Sequence, residues 1–134
     1  MTDTDFKLKT RTNLSVTDAE AKIREALTAE GFGVLTEIDV AATLRDKLGV
    51  ERPPYRILGA CRPVLAHQAL EVEPDVGLLL PCNVVIYADG ETTVVAALDP
   101  STIVDTTGNV ALVPIVTDAK ERLARVVASI PGIK

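Results

Sequence analysis

Cys61, His67 and Cys82 are the residues with the most distinctive chemistry in this chain of 134, which holds two cysteines and one histidine. Cys61 follows Gly59-Ala60 at the end of an apolar segment and precedes Arg62-Pro63, where a helix is expected to start. Proline suits the first helical position because its missing N–H would have no partner there. A helix N-terminus carries roughly half a positive charge. That field, together with Arg62, predicts that Cys61 ionises more readily than a free thiol, and a thiolate attacks electrophiles and binds soft metals. The plain alternative is a small buried residue at a tight strand–helix junction.

Cys82 lies in LLLPCNVV, directly after Pro81. Proline removes a ladder donor and predicts a break or bulge in the strand, which Asn83 would satisfy through its amide. The alternative is a core cysteine beside a structural kink. His67 follows Pro63 by about one helical turn. Its ring either reaches back toward Cys61 or faces solvent. The ligand set therefore expected is Cys61, Arg62, His67, Cys82 and Asn83, with Cys61, His67 and Cys82 as metal ligands. Two sulfurs and an imidazole suit zinc or copper(I). The spacing does not match a tight Cys-x-x-Cys knuckle, and the fourth ligand would come from water, a ligand or a partner subunit. A Cys61–His67 nucleophile pair is the catalytic version of the same arrangement.

Other polar residues have simpler roles. Glu37 and Asp39 alternate along a strand, and Asp39 is placed to cap a helix. Asp99-Pro100 reads as the start of a turn. Gly31-Phe32-Gly33 leads into a strand, whereas dinucleotide loops run from a strand into a helix.

The elements that must position these residues follow from periodicity. Residues 6–12 alternate Phe6, Leu8 and Thr10 against Lys7, Lys9 and Arg11, as in a half-buried strand. The basic face is expected to be solvated, protecting a sheet edge. Ser15 caps a helix with Asp18 as its partner. Val16, Ala19, Ile23, Ala26 and Leu27 form its apolar stripe, and Gly31 ends it. Residues 32–38 form a second strand. Asp39 opens a short helix that Gly49 stops, and Pro53-Pro54 leads into a third strand, Tyr55 to Ala60. The helix from Pro63 ends before Pro74. An apolar run from Val76 to Ala88 reaches the Asp89-Gly90 hairpin signal, with Thr92 to Leu98 as the return strand. Residues 99–109 read as turn. Leu112, Val116, Ala119, Leu123, Val126 and Ile130 mark a final helix starting near Asn109 or Thr117. The pattern predicts one α+β domain over residues 1–134. Its antiparallel sheet carries two long helices on one face, with two short inserted helices.

Three stretches, EGFGVLTEIDVAATLRDKLG, YRILGACRPVLAHQALEVEPDVGLLLPCNVVIY and Asp99-Pro100, resemble the domain-of-unknown-function family numbered 302 over about residues 15–130. Arg62 stands where that family usually carries Asn. The resemblance implies a fold similar to the TATA-box-binding-protein-like β-α-β4-α arrangement, and a homodimer. It supplies no activity.

Composition narrows the function classes. The net charge is −5 and aromatics are 3% of residues, which argues against nucleic-acid binding. No apolar run approaches the ~20 residues of a membrane span. The start, Met1 to Asp5, lacks the pattern of a signal peptide. Two cysteines fit free thiols in a reducing cytoplasm. The expected role is a homodimeric module binding a small ligand or soft metal near Cys61 and Cys82. Its rivals are an interaction module with no small-molecule site and a thiol-dependent enzyme using Cys61.

Overall fold

The structure, a computed structural model, describes residues 6–133. The leader expectation concerns residues 1–5 and lies outside the described residues. Five strands form one antiparallel sheet: β1 (Lys7–Thr12), β2 (Gly33–Asp39), β3 (Tyr55–Cys61), β4 (Cys82–Asp89) and β5 (Thr92–Leu98). Their spatial order is β1-β5-β4-β3-β2. Five helices join them: α1 (Val16–Ala29), α2 (Val40–Leu48), α3 (Pro63–Val72), α4 (Ser101–Thr107) and α5 (Val113–Ala128). With the short helices set aside, this is the expected β-α-β4-α arrangement.

Alternation along the strands decides which sheet face becomes the core. Leu58 and Ala60 on β3, Cys82, Val84 and Ile86 on β4, and Val95 and Ala97 on β5 belong to one buried cluster. Ile23 and Leu27 of α1 join it, as do Val116, Leu123 and Val126 of α5. The two long helices therefore share one face, as the apolar stripes predicted. Ser15 caps α1 by accepting the Asp18 N–H at 3.1 Å. Asp39 does the same for α2 through Ala42 N–H at 2.9 Å. At the hairpin, Gly90 takes φ 62°, a region where a Cβ is costly.

Three local features differ from the sequence reading. Residues 99–109 are not all turn, because α4 occupies Ser101–Thr107. The reason is Asp99, whose Oδ1 accepts the Ser101 N–H at 2.9 Å and the Ser101 hydroxyl at 2.6 Å. Asp-Pro at a helix start looks locally the same as Asp-Pro in a turn. The break expected inside the strand at Pro81 lies ahead of it. Val76 falls in a 3₁₀ turn, Pro74–Leu79, the Leu80–Pro81 peptide is cis, and β4 runs in unbroken register from Cys82. The irregular strand is β2, whose register on β3 shifts between Val34 and Thr36. Among the described residues, no helix is long and apolar enough to cross a membrane.

Candidate functional site

One end of the sheet holds both cysteines. Cys61 is the last residue of β3, and Cys82 is the first of β4, opposite Ala60. Both line a cavity of about 50 Å³ closed by Leu65 and Ala69 of α3, Val76 of the 3₁₀ turn, and Val116 of α5. The walls are almost wholly apolar, because α3 turns Leu65 and Ala69 inward while its polar side stays in solvent. Cys82 is buried and Cys61 half-buried, and neither is in a disulfide.

The electrostatics run against a reactive thiolate. Burial raises the Cys61 pKa above its ordinary value. Burial raises Cys82 further, to about 11, and the nearby Cys61 charge adds to the shift. The expectation of a polarised Cys61 is therefore corrected. Its sulfur belongs to the strand, and α3 begins two residues later at Pro63. Arg62 does not compensate, since its Nε donates to the Glu30 carbonyl at 3.3 Å at the end of α1. Desolvation, which favours the neutral thiol, outweighs the helix field.

The expected ligand set separates in space. Cys61, Arg62 and Cys82 line the cavity. The His67 side chain is 75% exposed, with Nε2 3.9 Å from Glu71 on the same helix. The helix places Ala66, not His67, at the cavity wall. Asn83 is exposed and lines a separate groove with Leu79 and Pro81. Among the described residues, no group of three or more His, Cys, Asp and Glu side chains gathers to hold a metal. The Cys61–His67–Cys82 set therefore does not assemble as a three-ligand centre. Leu80 also lines the cavity, whereas Leu58 is buried within the core and Leu79 lies outside the cavity lining.

Asp99 is the residue near this end that the sequence reading undervalued. It is buried beside the cavity-lining Pro100, and Lys120 of α5 lies 3.0 Å from its Oδ2. Burial pushes its carboxyl pKa up, but the hydrogen bonds from Ser101 and the Lys120 ammonium pull it down further, so the net shift is downward. It anchors α4 against α5 and so fixes one wall of the cavity. Asp followed by Pro and Ser is a helix-start signal as well as a turn signal.

The family model described as domain of unknown function DUF302 matches residues 8–130. A crystal structure of an uncharacterized conserved DUF302 protein from Bacillus stearothermophilus is 30% identical and superimposes with a TM-score of 0.88. The match covers 94% of this chain and 98% of that one. A comparison with curated proteins gave no match.

Proposed function

This chain belongs to the DUF302 family, and we propose that it is a homodimeric binding module holding a small apolar group in the cavity between Cys61 and Cys82. The observation that carries this reading is an apolar cavity lined by two thiols whose pKa values are raised by burial. Such a site favours neutral, polarisable contacts over nucleophilic attack. A thiol-dependent enzyme is disfavoured for the same reason. A soft metal is also less favoured, because two sulfurs leave zinc short of its usual tetrahedral set. Two free thiols support a cytoplasmic setting.

The cavity, about 50 Å³, sets the scale of the occupant. Benzene fills an apolar cavity of about 150 Å³. The occupant is therefore a group of a few heavy atoms, such as the end of a short aliphatic chain. The test is to titrate the protein with xenon and then with short alkanols, following the methyl signals of Leu65, Ala69 and Val76 by NMR. Saturable shifts confined to these methyls are expected, and Ala69→Leu, which fills the space, should abolish them. The reading fails if the methyls do not respond, or if their shifts survive Ala69→Leu.

An interaction module is the second reading. It is favoured by the exposed Leu35 (65%) and Ile38 on the outer strand β2 and by Leu48 (70%) at the end of α2. This surface is also the one offered to a second copy of the chain.

A further inference from the structure

The opposite end of the sheet, where β3 begins and β4 turns into β5, carries a cleft of about 1040 Å³. It lies between the start of α1, the α2 helix and the hairpin. We propose that this cleft is a second binding site, for a small organic anion of the phosphate-ester or carboxylate class. It shares no residue with the thiol-lined cavity, and the proposal does not depend on that cavity's reading.

Charge pairing in the cleft points to an anion. Glu20, Asp39 and Arg56 all line it, but they are occupied with one another. Glu20 accepts from Arg56 Nε at 2.8 Å and from its Nη2 at 3.3 Å. Asp39 caps α2 and lies 3.8 Å from Arg56 Nη1. Arg45 and Arg52 also line the cleft and are differently placed. Arg45 approaches only the adjacent Asp46, at 3.5 Å, among the described residues. Arg52 meets no carboxylate among the described residues. Its Nε donates to the Pro53 carbonyl at 3.1 Å, and its guanidinium lies over the Tyr55 ring at 5.1 Å. Tyr55 is itself stacked on Tyr87 at 5.1 Å. The Arg52 head group is thus ordered by groups that leave its terminal nitrogens free, and a fixed guanidinium fork suits phosphate and carboxylate oxygens. Glu91, at the hairpin, is the one lining carboxylate without an arginine partner, and it is exposed.

The second observation is independent of the arginines. Thr93 lines the cleft from the core face of β5 and is 3% exposed. Its hydroxyl makes no hydrogen bond to any described residue, yet it is not sealed from the cleft. Because it opens onto the cleft, that hydroxyl can hydrogen-bond a molecule held there. Beside it, the first intrahelical bond of α1 starts at Ala19 N–H, and Ser15 takes the Asp18 N–H, so the Val16 and Thr17 amides remain free. Donors from a strand, a helix start and two arginines therefore surround the same space.

The test uses the whole chain with inorganic phosphate, phenyl phosphate and benzoate, followed by amide NMR. Saturable shifts are expected at residues 15–17, 41–45, 52 and 92–93, with phenyl phosphate tightest if the ligand is a phosphate ester and benzoate tightest if it is a carboxylate. Arg52→Gln should weaken binding roughly tenfold, as expected for loss of a hydrogen bond from a charged donor. Thr93→Val should weaken it by a smaller factor, and Arg125→Gln, on the far side of the molecule, should leave it unchanged. Thermal melting of each variant separates lost binding from lost fold. The proposal is overturned if no probe gives saturable shifts, or if Arg125→Gln weakens binding as much as Arg52→Gln.

Discussion

Cys82 sits where the ladder between β3 and β4 begins, and its burial has a consequence that titration can read. The folded thiol ionises at about 11, above the ordinary value near 9, because desolvation opposes the charge and Cys61 adds repulsion. A raised folded pKa means that the unfolded chain loses the proton first as pH rises. The neutral thiol's contribution is intact below the unfolded value, and it declines as pH climbs from about 9 through about 11. At about 1.4 kcal/mol per unit, the loss is on the order of 3 kcal/mol. Wild type and Cys82→Ala should therefore differ in the pH dependence of urea unfolding. The substitution costs stability at pH 7, and the wild type's extra loss above pH 9 is absent from the variant. Parallel profiles would show that Cys82 does not titrate as a buried group. The same residue explains what sequence could not reveal at this scale. Helix direction near Cys61 is legible from Arg62-Pro63, but desolvation depends on Leu65, Val76 and Val116 closing over the sulfurs. Those contacts are distant in sequence.

At the scale of elements, most of the sheet and both long helices were legible because their signals are local. The alternation of β1, the Ser15 cap and the α5 stripe each fit one periodicity. The missed element, α4, starts beside Asp99, whose local bonds to Ser101 would serve a turn equally well, and the Lys120 contact that anchors it comes from distant α5. His67 illustrates a related limit. Its position on α3 was correct, but which face of that helix meets the cavity was set by packing against α5. Gly59 shows how closely the elements approach one another. A Cβ built there would lie 2.2 Å from Thr36 Oγ1 and 2.7 Å from Pro81 Cγ. The Thr36 contact comes from β2 just beyond its register shift, and Pro81 immediately precedes β4. Gly59→Ala forces one of them to move, and overpacking of this kind costs roughly 1–3 kcal/mol. Chemical denaturation should show that loss, and Thr36→Ala in the same chain should recover part of it. An unchanged midpoint for Gly59→Ala would mean that β2 yields without cost.

The whole molecule has two sheet edges with different protection. On the β1 edge, the segment after α5 folds back so that Ile133 N–H donates to the Arg11 carbonyl at 3.0 Å. Among the described residues, no strand lies beyond the β2 edge. Glu37 binds Arg24, which ties the strand to α1 but leaves Leu35 and Ile38 exposed. Bare edges with exposed apolar side chains invite pairing, and a register shift such as that at Val34 and Thr36 limits how far pairing extends. A second copy of the chain brought to this edge would offer the same side chains, the self-complementary contact that a two-fold dimer needs. Sedimentation across a concentration series should then detect a dimer. Leu35→Asp introduces a charge into the contact and should shift the protein toward monomer while leaving the fold intact, since Leu35 lies outside the core cluster. Because the thiol-lined cavity and the anion cleft lie at opposite ends of β3, both should bind their probes equally well in that monomeric variant. Loss of either activity on dissociation would instead place that site at the subunit contact. A protein that sediments as a monomer before substitution, at all concentrations tested, would remove the β2 edge as an interface and leave its exposed leucine without a partner.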